Sequence, residues 1–131
     1  MRLLSWNEFN SCVTFISNAC REKTLSGVYG VPRGGLCLAV AISHALQIPF
    51  LETPQINSLV IDDVYQTGET LNQFRYIKGV IVFVWLSKVE PVWWNAIEVT
   101  EKNEWLVFPW ENPLLASADE KHYLASRLPS K

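Results

Sequence analysis

Residues 59–71 decide the fold of this chain and read Leu59-Val60-Ile61-Asp62-Asp63-Val64-Tyr65-Gln66-Thr67-Gly68-Glu69-Thr70-Leu71. The apolar run at the start predicts a buried strand, and it ends in two adjacent carboxylates. Asp62 and Asp63 can accept hydrogen bonds from vicinal hydroxyls or lie close to a magnesium ion. The loop that follows offers backbone N–H groups and two threonine hydroxyls to an anionic phosphate, at a predicted helix N-terminus. This order predicts half of a sugar-phosphate site; the plainer alternative is an acidic turn between a strand and a surface helix.

The same residues resemble the motif that binds 5-phosphoribosyl 1-pyrophosphate (PRPP) in type I phosphoribosyltransferases. The resemblance implies transfer of the 5-phosphoribosyl group to a nucleobase or another nitrogen nucleophile, with release of pyrophosphate. It also implies that Asp62 and Asp63 act in catalysis, hold the ribose 2′- and 3′-hydroxyls, and lie near Mg²⁺, directly or through water. The residues that would wrap the 5′-phosphate are Tyr65, Gln66, Thr67, Gly68, Glu69 and Thr70. We call residues 66–70 the phosphate loop.

A second glycine loop follows an earlier apolar strand, in Gly27-Val28-Tyr29-Gly30-Val31-Pro32-Arg33-Gly34-Gly35-Leu36. Glycine lets a backbone approach a ligand closely, and the Arg33 guanidinium is a forked donor for phosphate oxygens. An ordinary strand-to-helix turn with an exposed arginine is the alternative. The loop is similar to the pyrophosphate loop of the same enzymes, which often contains a cis non-proline peptide. The resemblance implies a catalytic Arg33 and a pyrophosphate loop formed by Pro32, Arg33, Gly34 and Gly35.

Composition limits the classes of protein that this chain can represent. Its 131 residues predict one domain over residues 1–131, and a hydrophobic fraction of 49% is enough for a core. With 11 basic and 13 acidic residues the net charge is −2, which predicts no binding to nucleic acid or to an anionic membrane. No apolar run is long enough to span a bilayer or to act as a signal peptide, and three cysteines without CxxC spacing indicate reduced thiols. We therefore expect a cytoplasmic protein.

The hydrophobic pattern alternates strands with helices. Ser5 and Glu8 predict a capping box for a helix that runs to about Arg21. Strands are expected at residues 28–31, 49–51, 58–61, 80–86 and 104–108, and helices at about 36–46, from about 68, and within 114–128. This order predicts an α/β protein with a mostly parallel, twisted sheet flanked by helices, and the resemblance adds a small C-terminal hood element. Both glycine loops fall at strand C-termini, where such sheets bind ligands.

The C-terminal part is similar to xanthine/guanine (oxopurine) phosphoribosyltransferases. Lys88 follows a strong strand, and Trp105 precedes the sequence Pro109-Trp110-Glu111. In those enzymes a lysine donates to the purine 6-oxo group and an aromatic residue stacks on the base, so the resemblance implies that Lys88 and Trp105 bind the base. An ammonium and an aromatic face suit these contacts chemically. Alternatively, Lys88 is solvated, and the tryptophans of this region form core or a contact within the homodimer that we expect.

Two departures from the family pattern leave two functions open. Gln66 stands where oxopurine enzymes usually have an aspartate, and glutamine cannot take a proton. Residues 52–57 are too few for the mobile loop that closes over PRPP in catalytic members. The first function is a phosphoribosyltransferase that uses PRPP and Mg²⁺ to modify a nucleobase, expected to be a purine. The alternative is a regulator that binds PRPP or a nucleotide, or a homologue with little turnover.

Overall fold

The computed structural model describes residues 1–126. In chain order the elements are β1 (Arg2–Leu3), α1 (Trp6–Cys20), β2 (Val28–Gly30), α2 (Leu36–Leu46), β3 (Phe50–Leu51), β4 (Leu59–Tyr65), α3 (Glu69–Asn72), β5 (Ile81–Ser87), β6 (Asn95–Val99), β7 (Leu106–Val107) and α4 (Pro113–Ser126). Five parallel strands form the central sheet in the order β3-β2-β4-β5-β6. The predicted α/β fold with a mostly parallel sheet is confirmed.

The first helix begins at the predicted capping box. Ser5 Oγ accepts a hydrogen bond from Glu8 N at 3.1 Å, and Glu8 Oε1 accepts one from Ser5 N at 3.2 Å. Two amide groups that the helix itself cannot satisfy are thereby paired. The buried face of α1 includes Cys12, a free thiol whose burial raises its pKa to about 12. The thiol is therefore protonated and packs as a small apolar group.

Both faces of β5 are covered, as its unbroken apolar sequence predicted. Phe83 and Trp85 belong to the cluster that includes the buried faces of α1 and α2. Val82 and Val84 belong to a second cluster, which includes residues of and just after α3. Alternate residues of a strand point to opposite faces of a sheet, so the two clusters are the two halves of the core.

The strand β4 is longer than the sequence indicated. We expected it to end at Ile61, but it continues to Tyr65, with Asp62 opposite Val84 and Val64 opposite Leu86 on β5. The prediction that the strand ends before the acidic pair was therefore wrong, because both aspartates lie within β4. Pairing with β5 continues past Asp62 and Asp63 to Tyr65. Tyr65 is again buried, so the strand ends on a core residue.

The ends of the chain also differ from expectation. The strand expected at residues 104–108 is reduced to β7, which pairs with β1 in a parallel ribbon separate from the central sheet. Both β1 and β6 were missed, because each has exposed residues and no clear alternation. The Arg2 guanidinium on β1 forms ion pairs with Glu98 on β6 and Glu8 on α1 and so ties the ribbon to the central sheet. The final helix was predicted correctly, although Leu128 lies outside the described residues.

The order of the strands creates a crevice. From β2 the chain moves outward to β3, and it then returns to β4 on the other side of β2. At such a reversal the loops after the two neighbouring strands lead in opposite directions, and the crevice between them is where open α/β sheets bind ligands. No helix within residues 1–126 is long and apolar enough to cross a membrane.

Candidate functional site

A cavity of about 370 Å³ lies at the carboxyl ends of β2 and β4, where the strand order reverses. We call it the switch-point cavity. Two loops line it, one after β2 and one that begins within β4: Val31, Pro32 and Gly34 from the first, and Asp62, Asp63, Val64, Tyr65, Gln66, Thr67, Gly68, Glu69, Thr70 and Leu71 from the second. The structure thus brings together the two motifs that lie far apart in sequence.

The pyrophosphate loop packs directly on the acidic strand. Val31 N donates to Ile61 O at 2.8 Å, and Gly35 N donates to Val31 O at 2.9 Å, which closes a tight turn. The peptide between Pro32 and Arg33 is cis, the feature that the resemblance implied. A Cβ atom on Gly34 would lie 2.5 Å from Asp63 Cγ. A side chain at this position would displace either the loop or the Asp63 carboxylate, so glycine permits their close approach.

The acidic pair is half-buried at the floor of the cavity. Asp62 Oδ1 accepts from Asp63 N at 2.8 Å, and Asp63 Oδ1 accepts from Val64 N at 2.8 Å. Burial and the neighbouring Asp63 raise the pKa of Asp62 to about 8, and burial also raises the pKa of Asp63. Two adjacent carboxylates in a low-dielectric site cannot easily both ionise, so the pair favours a cation or a set of hydroxyl donors.

The phosphate loop presents mostly exposed residues. Gln66, Thr67, Glu69 and Thr70 are exposed, whereas Gly68 is buried in the left-handed conformation at φ 83°. The helix that follows has only four residues, so the contribution of aligned peptide dipoles that we expected is small. What the loop offers an anion is therefore local: backbone N–H groups and two threonine hydroxyls. The Glu69 carboxylate opposes a bound anion, so only its backbone suits that role.

Arg33 lies on the other side of the Gly34–Asp63 contact. It lines a second cavity of about 280 Å³ together with Gly34, Asp63, Trp110 and Glu111. Trp110 and Glu111 were not expected to line a cavity. The Trp110 ring stacks on Phe108 at 5.1 Å between centroids, and Glu111 Oε1 accepts from Phe108 N at 2.9 Å. The only signal was their place in the same C-terminal motif as Trp105.

Lys88 and Trp105 line neither of these cavities. Lys88 is only 9% exposed, and its Nζ donates to Glu104 O at 2.6 Å and to Lys102 O at 3.2 Å. The alternative of a solvated lysine is therefore wrong, because the ammonium holds residues 102–104 against the end of β5. A role for Lys88 and Trp105 in binding the base stays a prediction.

Trp94 and Trp110 pack on opposite sides of the sheet. Trp94 stacks on Tyr65, whereas Trp110 packs with Phe9 and Trp85. Trp94 is 6% exposed. For Trp94 the core interpretation is confirmed.

Neither a protein-family model nor a curated protein matches the sequence. Solved structures do match. A purine phosphoribosyltransferase from Pyrococcus horikoshii aligns with a TM-score of 0.70 at 24% identity, over 85% of this chain and 94% of that one. A Helicobacter pylori xanthine-guanine-hypoxanthine phosphoribosyltransferase aligns at 0.59 and 17%, over 87% and 92%. A hypothetical protein from Neisseria gonorrhoeae with bound ppGpp aligns at 0.63 and 15%, over 94% of both chains.

At these identities the likeness shows the fold. The chain has the fold of type I phosphoribosyltransferases, as its two loop motifs predicted.

Proposed function

We propose that this protein is a phosphoribosyltransferase that transfers the 5-phosphoribosyl group of PRPP to a nucleobase, expected to be a purine, and releases pyrophosphate. One observation carries the proposal. The switch-point cavity is lined by the acidic pair, by the phosphate loop, and by Pro32 and Gly34 of the pyrophosphate loop. Arg33 of the same loop lines the second cavity, which shares Gly34 and Asp63 with the first. PRPP is a ribose with a phosphate at one end and a pyrophosphate at the other, so it needs a diol-binding group between two anion-binding loops.

In this proposal each part of the site has its own role. Asp62 and Asp63 accept hydrogen bonds from the ribose hydroxyls, and the phosphate loop receives the 5′-phosphate. Pyrophosphate lies against the pyrophosphate loop, where Arg33 donates to its oxygens as negative charge develops on them. The carboxylates lie beneath a ribose that becomes cationic. Catalysis therefore consists of positioning and charge stabilisation, and no covalent intermediate with the protein is needed.

The donor set fits a magnesium ion that arrives with the substrate. Within residues 1–126 no three His, Cys, Asp or Glu side chains are grouped so as to hold a metal by themselves. Asp62 and Asp63 supply two neighbouring carboxylates, and Mg²⁺ is commonly bound by one or two carboxylates together with substrate phosphates. When bound, the ion would supply positive charge to the leaving pyrophosphate.

The expectation of a purine acceptor rests on similarity and not on a contact. The solved structures from Pyrococcus horikoshii and Helicobacter pylori are named as purine enzymes. Gln66 is exposed at the cavity and offers only hydrogen bonds to an acceptor. A base that loses its proton without help from a carboxylate is therefore the acceptor that this residue suits best.

The test is release of pyrophosphate from PRPP and Mg²⁺ with adenine, hypoxanthine, guanine, xanthine, orotate or uracil. The nucleotide product is identified by chromatography and mass spectrometry. We expect turnover with at least one purine and none in the double variant Asp62→Asn, Asp63→Asn. Turnover that survives in the double variant contradicts the proposal. Turnover only with orotate or uracil contradicts the purine acceptor.

A second function is favoured by a specific observation. The protein with bound ppGpp matches over 94% of both chains, and here only residues 52–58 connect β3 to β4. A site without a closing loop suits a regulator that binds a guanosine polyphosphate and does not turn it over. Tight binding of ppGpp that PRPP displaces, with no product from any base, would support this second function.

A further inference from the structure

Tyr65 is the last residue of β4 and stands directly before the phosphate loop. Its side chain is only 7% exposed, and its ring stacks on Trp94 with centroids 3.6 Å apart and planes 9° from parallel. The Trp93 ring meets it edge-on at 6.5 Å. The backbone is held as well, because Tyr65 O accepts from Lys88 N at 2.9 Å. Contacts therefore restrain both the ring and the backbone of Tyr65.

Trp94 is itself anchored to the neighbouring strand. Its Nε1 donates to Ser87 Oγ at 3.2 Å, and Ser87 Oγ donates to Val89 O at 2.5 Å. Ser87 lies opposite Tyr65 in the register of β4 with β5. The stacked pair is thus fixed at both ends to the central sheet, which makes it a rigid support.

The phosphate loop rests on this support. A Cβ atom on Gly68 would lie 2.8 Å from Tyr65 Cζ and closer still to the hydroxyl oxygen. The hydroxyl end of the ring therefore packs against the one buried residue of the loop. The other loop residues are exposed, and the helix that follows has four residues. Gly68 is therefore held by the Tyr65 ring and by the hydrogen bond that its carbonyl oxygen accepts from Asn72 N.

We propose that Tyr65 is a positioning residue: its ring, held by Trp94, keeps Gly68 and the phosphate loop in the conformation that receives the 5′-phosphate. A loop that is ordered before binding loses less conformational entropy when the ligand arrives. This role rests on the proposed function, because the 5′-phosphate site is part of that proposal. It differs from the role that the resemblance implied, in which Tyr65 is one of the residues that wrap the phosphate.

Two variants separate the ring from its hydroxyl. Tyr65→Phe keeps the stack on Trp94 and removes the atom nearest Gly68, whereas Tyr65→Leu removes both. The matched control is Tyr29→Phe, since Tyr29 packs edge-on against Phe74 in the same cluster and does not line the cavity. Thermal unfolding establishes that each variant is folded.

The first measurement is affinity for PRPP and, separately, for pyrophosphate with Mg²⁺. We expect Tyr65→Leu to weaken PRPP binding by about tenfold, because the loop must then be ordered at the expense of binding free energy. Tyr65→Phe should show a smaller loss, and the control none. Pyrophosphate affinity should not change, because its loop follows β2. A folded Tyr65→Leu protein that binds PRPP like the wild type, or loses both ligands equally, overturns the inference.

The second measurement needs no ligand. Asn72 N donates to Gly68 O at 2.8 Å, so hydrogen exchange of the Asn72 amide reports on the position of Gly68. We expect faster exchange in Tyr65→Leu and no change in Tyr29→Phe; unchanged exchange in both overturns the inference. If the wild type does not bind PRPP, the proposed function fails, and this exchange measurement still decides separately whether Tyr65 holds Gly68 in place.

Discussion

Replacing Asp62 with asparagine is expected to stabilise the folded protein at neutral and alkaline pH while it weakens PRPP binding. Burial and the Asp63 carboxylate raise the pKa of Asp62 from 3.8 to about 8. In the unfolded chain the carboxyl ionises near its ordinary pKa, so between these two pH values the folded protein holds a proton that the unfolded chain has lost. The contribution of Asp62 to stability is therefore complete below pH 3.8 and is lost as the pH rises towards about 8.

The size of the effect follows from the same two values. A difference of one in pKa corresponds to about 1.4 kcal/mol, so the whole interval sets an upper limit of about 6 kcal/mol. The observed effect should be smaller, because the two carboxyls titrate together and the cavity admits water. We expect Asp62→Asn to raise the free energy of unfolding by about 1–3 kcal/mol at pH 8 and to leave it nearly unchanged at pH 4.

Urea unfolding followed by tryptophan fluorescence from pH 4 to pH 9 measures this difference, with a chelator present so that no cation binds the acidic pair. Glu52→Gln is the matched control, because Glu52 is an exposed carboxylate in the connection between β3 and β4. A lower stability of Asp62→Asn than of the wild type at pH 8, or a stability difference that does not grow between pH 4 and pH 8, would contradict this prediction. If Asp62→Asn stabilises the fold and abolishes PRPP binding, the acidic pair lowers the stability of the folded protein but is needed for function.

Three further predictions concern the two loops. Arg33→Ala should weaken PRPP and pyrophosphate by about 1.5–3 kcal/mol, the range for hydrogen bonds to charged groups, and leave a nucleoside monophosphate unaffected; equal loss of all three in isothermal titration would contradict this. Gln66→Asp should raise turnover of hypoxanthine, guanine or xanthine about tenfold or more, at the lower end of the effect of a general base, with PRPP affinity nearly unchanged. No gain in a steady-state assay would mean that the base does not lie beside residue 66. Gly34→Ala should lower PRPP affinity, because its Cβ would overlap the Asp63 carboxylate; unchanged affinity would place PRPP away from that contact.

Local patterns were sufficient for much of the secondary structure. The capping box of α1, the helix α2 and the strand β5 were all recognisable, because each depends on residues that are close together in the chain. The same holds for the chemistry of the two loops, where a few adjacent residues define what each can bind. The edge strand β6 was not recognisable, because an edge strand pairs on one side only and needs no continuous apolar run.

The sequence by itself determined the fold class and the chemical character of both loops. Only the tertiary structure decided that the loops share one cavity, because that depends on β4 returning beside β2. It also decided the environment of the functional side chains: the acidic pair is half-buried within a strand, and Lys88 Nζ donates to two backbone carbonyls. The stack of Tyr65 on Trp94 joins residues from different strands and loops. The burial of these side chains, the raised pKa of Asp62 and the support of the phosphate loop all arise from contacts between distant parts of the chain. A local sequence pattern does not reveal such contacts.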